Sequence, residues 1–96
     1  MEIKKYIEVN SERFMQELFE LIRIPSVSAH SHRKEEIHQT AEQWKNLLLK
    51  AGADSADILP TKGNPVVFAE KIIDKTKPTV MIYGHYDVMP AEPLEL

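Results

Sequence analysis

The sequence has no cysteine among its 96 residues, which excludes disulfide bonds and thiolate metal sites. Histidine and the carboxylates are therefore the strong metal ligands that the chain can offer. No apolar stretch approaches the roughly 18 residues that a membrane-spanning helix needs. The opening segment has no long apolar run behind its lysines, so it does not look like a secretory signal. We therefore expect a cytoplasmic protein with no membrane partner.

The sequence also has little net charge. Its formal charge is -3, and lysine and arginine are interspersed with aspartate and glutamate. Because proteins that follow a phosphate backbone usually present a basic stripe, nucleic acid is not expected as a partner. Apolar residues make up 43% and charged residues 28% of the chain, as in ordinary globular proteins. A chain of this length should form one small domain with a thin core.

The first third of the sequence predicts an amphipathic helix that ends at Pro25. Asn10 or Ser11 is a suitable N-cap residue for this helix. Apolar residues then recur at the spacing of one helix face, and they are Phe14, Leu18, Leu21 and Ile22. A polar loop at 26–31 should follow.

A second helix is predicted from an N-cap at Ser31 to about Lys50. Its apolar stripe, which should lie against a sheet, comprises Ile37, Ala41, Trp44, Leu48 and Ala51. Gly52 should end the helix, because glycine adopts positive φ at little steric cost. We interpret Trp44 as a core residue rather than as part of a substrate pocket.

Strands are predicted in the second half of the chain. Residues 55–60 and 65–73 should form an antiparallel hairpin through the short connection at 61–64. Residues 79–83 are a nearly unbroken apolar run, which is typical of a strand covered on both faces. The sequence therefore predicts the α/β class: two helices, then a β-hairpin, then a buried strand of a mixed sheet.

Gly84, His85 and Asp87 follow this apolar run, where the chain should leave the sheet. Sites in α/β proteins form at such strand exits. An imidazole that binds zinc through one nitrogen needs a hydrogen-bond acceptor at the other. Asp87 is placed to accept that bond if the strand continues, because alternate residues project to the same side. Taken alone, His-x-Asp is a short pattern that equally suits a strand followed by a polar turn.

The segment PTVMIYGHYDVMP at 78–90, followed by EPLEL at 92–96, closely resembles the first metal-ligand motif of the co-catalytic zinc dipeptidases. These are the cytosolic non-specific dipeptidase and carnosinase group, relatives of aminoacylase, acetylornithine deacetylase, succinyl-diaminopimelate desuccinylase and glutamate carboxypeptidase. LIRIPSVS at 21–28 is similar to the family's first helix exit, and TKGNPVV at 61–67 to its hairpin. The resemblance implies that residues 1–96 are the amino-terminal part of a zinc-exopeptidase-like catalytic domain, whose other catalytic, lid and dimerisation regions lie outside the sequence.

The same resemblance implies roles for two residues. His85 matches the histidine that binds one zinc of a pair, and Asp87 matches the carboxylate that orients this histidine and is needed for activity. In the resembled enzymes the other ligands and the glutamate general base lie beyond the last residue of this sequence. The resemblance therefore implies a parent that hydrolyses dipeptide amide bonds through a two-zinc site, with manganese or cobalt as alternative metals. The 96-residue chain itself should be a truncated, inactive piece whose unpaired strand edges favour homo-oligomers.

Two alternatives remain open. The chain could be a non-catalytic binding or self-association module that keeps the fold, or its parent could be a related deacetylase, desuccinylase or carboxypeptidase. Other polar residues are interpreted without a function: His30 and His32 as surface histidines, His38 as a solvated helix residue, and Glu92 and Glu95 as solvated loop carboxylates.

Overall fold

The computed structural model describes residues 2–89, which form two α-helices, one short 3-10 turn and one two-stranded sheet. In chain order these elements are α1 (Ile3–Ile22), the 3-10 turn (Ser31–Arg33), α2 (Lys34–Lys50), β1 (Ser55–Leu59) and β2 (Val66–Glu70). Helix α2 contacts both strands. The predicted α/β class is confirmed for two helices followed by a β-hairpin.

Helix α1 begins at Ile3, so the predicted start at Asn10 or Ser11 was wrong. The Asn10 side-chain amide donates to the Tyr6 carbonyl (2.9 Å), and the Ser11 hydroxyl donates to the Glu8 carbonyl (3.1 Å). Because both side chains bond back to the preceding turn, they are accommodated inside the helix and do not cap it.

Helix α1 leads into a loop at 23–30, called the loop behind α1, which contacts the later segment around Val88. The helix ends at Ile22, before Pro25, as predicted. The loop then turns tightly, since the Val27 amide donates to the Pro25 carbonyl (2.9 Å). Ser26 and Val27 are buried, so the beginning of the predicted polar loop is part of the core.

Helix α2 starts later than predicted and ends where expected. Ser31 begins a 3-10 turn, in which the Arg33 amide donates to the His30 carbonyl (3.0 Å), and α2 follows from Lys34. The predicted N-cap at Ser31 was therefore wrong, because the tighter turn precedes the α-helix. At the other end, Gly52 has φ +110°, the positive value that was predicted for it.

The core lies where α2 meets the hairpin. Ile37 is only 2% exposed and Ala41 is fully buried, whereas Trp44 and Leu48 are half-buried and Ala51 is exposed. The predicted apolar stripe is therefore buried in the first turns of α2 and becomes solvent-exposed at the end of the helix. None of the helices in the described part of the chain is long and apolar enough to cross a membrane.

Strands β1 and β2 pair antiparallel, with Ser55 opposite Glu70, which confirms the predicted hairpin. The second strand is shorter than expected, because residues 71–73 lie outside it. The Ile72 amide donates to the Asp54 carboxylate (2.9 Å) instead of to a backbone carbonyl of β1. Strand pairing therefore stops at Glu70.

The predicted buried strand at 79–83 was wrong for this chain. These residues belong to no strand, and their apolar side chains are exposed, Ile82 to 93%. An interior strand needs hydrogen-bonded neighbours, and within residues 2–89 the two strands that form pair with each other. Among the described residues, no strand therefore covers the apolar run. Glu92 and Glu95, interpreted above as loop carboxylates, lie outside the described residues.

Candidate functional site

Besides the bond between Ser28 and Asp87, three hydrogen bonds tie the segment after the apolar run to the rest of the fold. The Val88 amide donates to the Ser26 carbonyl (3.0 Å), and the buried Ser26 hydroxyl donates to the Tyr86 carbonyl (3.3 Å). The Tyr86 hydroxyl donates to the carbonyl of Pro65, the residue before β2 (2.6 Å). The loop behind α1 and the hairpin thus both hold the chain on either side of Asp87.

His85 and Asp87 are in hydrogen-bonding contact at this position. His85 Nδ1 lies 2.9 Å from Asp87 Oδ1. The His85 side chain is 84% exposed and the Asp87 side chain 36%. A ring whose Nδ1 faces a carboxylate keeps its hydrogen on Nδ1 when neutral, which leaves Nε2 as the nitrogen with a lone pair. The structure thus brings together the two residues singled out in the sequence, while their roles stay predictions.

The second oxygen of Asp87 is bonded as well. The Ser28 hydroxyl donates to Asp87 Oδ2 at 2.5 Å. This hydrogen bond is the largest cause of a lowered pKa at Asp87; burial opposes it, and the bond to His85 acts in the same direction as Ser28. Asp87 is therefore held ionised, with both oxygens engaged. Sequence reasoning missed Ser28, since it lies 59 residues from its partner.

A cavity of about 660 Å³ adjoins the pair, between α2, the hairpin and the segment that carries His85. His85 and Asp87 are among its lining residues. Its apolar lining includes Ile37, Trp44, Leu48, Val67 and Ala69. Trp44, interpreted from the sequence as a core residue, therefore also borders an open space beside the candidate site.

The remaining histidines of the described chain lie elsewhere. The rings of His30 and His32 stack on each other, with centroids 5.1 Å apart. Within residues 2–89 no three histidine, aspartate or glutamate residues come together as a possible metal site. In this part of the chain His85 and Asp87 therefore form a pair of one imidazole and one carboxylate, without a third such side chain beside them.

Comparisons with known proteins find relatives along nearly the whole chain. It is 33% identical over 104 residues to the Beta-Ala-His dipeptidase of Rattus norvegicus and 32% identical over 100 residues to that of Homo sapiens, and each alignment covers 92% of this chain. It spans 20% of the length of either relative. No protein-family model matches the sequence.

A solved structure has the same fold. The di-peptidase Dug1p from Saccharomyces cerevisiae superposes with a TM-score of 0.83 over 95% of this chain, at 27% sequence identity. The match takes in 21% of the Dug1p chain. The helices and hairpin described above therefore correspond to about a fifth of a dipeptidase.

Proposed function

Because the chain belongs to the dipeptidase family over the segment that it spans, we propose that it contributes His85 and Asp87 to a two-metal peptidase site. The parent protein would hydrolyse the amide bond of dipeptides. The observation that carries this proposal is the contact between His85 Nδ1 and Asp87 Oδ1 on an exposed segment. Zinc-binding histidines are commonly oriented by a carboxylate in this way.

The residues present fit one part of such a site. Neutral imidazole is a suitable ligand for zinc, and manganese or cobalt remain the alternative metals. Asp87 keeps the ring oriented and, since its pKa is lowered, remains a hydrogen-bond acceptor. When bound, divalent cations would polarise the amide carbonyl and lower the pKa of a coordinated water molecule. The substrate would be a small peptide.

The isolated 96-residue chain should have no peptidase activity. Two-metal hydrolysis needs several ligands, and the described residues bring no cluster of three together. Its zinc binding should accordingly be weak, because one imidazole is a poor site by itself. The cytoplasmic location stays a prediction.

A non-catalytic association module is the second candidate. It is favoured by the exposed apolar side chains of residues 80–83, which a partner would cover. A related deacetylase, desuccinylase or carboxypeptidase would use the same metal chemistry, and His85 and Asp87 do not distinguish among these parents.

Activity measurements on two forms of the protein test the proposal. The 96-residue chain should not hydrolyse a simple dipeptide with added zinc. A longer reading frame that contains the chain should do so, and a chelator should abolish the reaction. In that longer protein His85→Ala should remove activity, and His38→Ala, at an exposed position of α2, should not. Chelator-sensitive turnover by the 96-residue chain, or an active His85→Ala protein, would refute the proposal.

A further inference from the structure

We propose that Ser28 is a positioning residue, which fixes the Asp87 carboxylate so that the His85 ring keeps its hydrogen on Nδ1 and its lone pair on Nε2. The inference rests on the proposed function of His85 as a metal ligand. It follows from one observation: each Asp87 oxygen has its own partner, Ser28 Oγ on Oδ2 and His85 Nδ1 on Oδ1.

Asp87 needs a second partner because the torsion that sets its carboxylate plane is broad and roughly two-fold. The bond to His85 alone comes from a side chain that is 84% exposed, so both groups could turn together. Ser28 belongs to a different part of the chain, the loop behind α1. A hydrogen bond from this loop therefore fixes the carboxylate relative to the fold and not just relative to the ring.

The loop can do this because it is itself well anchored. Ser26 is fully buried, its carbonyl accepts from the Val88 amide (3.0 Å), and its hydroxyl donates to the Tyr86 carbonyl (3.3 Å). These contacts hold the loop against the chain on both sides of Asp87. Ser28 follows Ser26 by two residues, so its hydroxyl is presented to Asp87 from a loop that is anchored at Ser26.

The consequence for His85 is a choice of tautomer. A neutral imidazole carries its hydrogen on either ring nitrogen, and a hydrogen bond from Nδ1 to an acceptor selects one of the two forms. With Asp87 held by Ser28, Nδ1 donates and Nε2 is free to bind a cation. Without the Ser28 hydroxyl, the carboxylate turns away more often and the Nε2–H form, which cannot bind metal through Nε2, becomes more populated.

Imidazole ¹⁵N NMR spectra of the 96-residue chain measure the populations of the two His85 tautomers directly, at a pH where the ring is neutral. The wild-type chain should show His85 mainly with the hydrogen on Nδ1. Ser28→Ala should lose that preference, and Ser28→Thr, which keeps a hydroxyl, should retain it. Ser31→Ala, at an exposed serine of the 3-10 turn, is the matched control and should resemble the wild type. An unchanged His85 tautomer in a folded Ser28→Ala chain overturns the inference.

If Ser28→Ala loses its dispersed amide spectrum, the isosteric pair Ser28→Thr and Ser28→Val decides instead. The threonine should keep the Nδ1–H form and the valine should lose it, whereas the same His85 tautomer in both overturns the inference.

Added zinc separates this inference from the proposed function. If zinc shifts His85 Nε2 but the tautomer does not depend on Ser28, the positioning role is wrong and the metal-ligand role is supported. If the tautomer depends on Ser28 but excess zinc leaves His85 unaffected in the longer reading frame as well, the positioning contact is supported and the metal-ligand role is wrong.

Discussion

The hydroxyl of Tyr86 links the candidate site to the hairpin through a part-buried bond to the Pro65 carbonyl. Burial, followed by the nearby charge of Asp87, raises the pKa of Tyr86 above its ordinary value, so the hydroxyl remains a donor. The neighbours of Tyr86 in sequence are His85 and Asp87. Their placement thus depends on a side chain that takes no part in the proposed chemistry.

Tyr86→Phe tests this dependence. The substitution removes one hydrogen bond and should lower the free energy of unfolding by about 1 kcal/mol, the usual net value for such a bond. It should also speed hydrogen exchange at the Val88 amide, which donates to Ser26. Tyr83→Phe is the matched control, since Tyr83 is 92% exposed. Equal Val88 exchange rates in the two variants would contradict the account.

The sequence predicted the contact between His85 and Asp87 because the two residues are only two positions apart. The third member, Ser28, could not be predicted in the same way. It reaches Asp87 only because the loop behind α1 packs against the chain near Val88. That contact is tertiary, and no local pattern in the sequence reports it.

Packing between α2 and the hairpin holds the elements together. Ile37 is the largest fully buried side chain, and it also lines the cavity beside the site. It therefore supports both the core and one wall of the space next to His85. A chain of 96 residues has few such contacts, so the loss of one should lower the stability of the whole fold.

Ile37→Ala should lower the free energy of unfolding by about 2 kcal/mol or more, the range found for isoleucine in well-packed cores. Ile73→Ala removes the same atoms from an exposed position and should change stability by no more than about 0.5 kcal/mol. Urea denaturation of both variants makes the comparison. Similar unfolding midpoints would mean that the core is not where the structure places it.

The boundaries of the elements show what local sequence rules can predict. The ends of both helices were predicted correctly, because Pro25 and Gly52 act through their own backbone chemistry. The starts were wrong, because a polar side chain such as Asn10 or Ser31 can be accommodated in a helix or a tighter turn as well as at a cap. The hairpin was predicted because its two strands and their connection are adjacent in sequence.

The environment of the apolar run at 79–83 depends on the whole molecule and not on the run alone. Its apolar composition predicted burial on both faces, but burial requires neighbouring strands as well as a suitable sequence. In the described part of the chain those neighbours are missing, and Val80, Ile82 and Tyr83 face solvent. The apolar pattern therefore predicted a buried environment that the described residues do not provide. The exposed run is the surface through which we expect the chain to associate.

The isolated chain should therefore self-associate. Sedimentation velocity should show species larger than the monomer that increase with protein concentration, because exposed apolar segments with unpaired backbone groups favour pairing between chains. Ile82→Lys should reduce this association. Ile3→Lys is the matched control, because Ile3 is also exposed but lies at the start of α1. A wild-type chain that stays monomeric at high concentration would contradict this prediction.

We propose that His85 is the metal ligand of this chain and that Asp87 orients it. The chain has four histidines, which makes a zinc titration followed by imidazole ¹⁵N NMR the most direct test. We expect Nε2 of His85 to respond first, before His30, His32 and His38, and a chelator to restore the original spectrum. A first response at His30 and His32, or none at His85 in excess zinc, would contradict it.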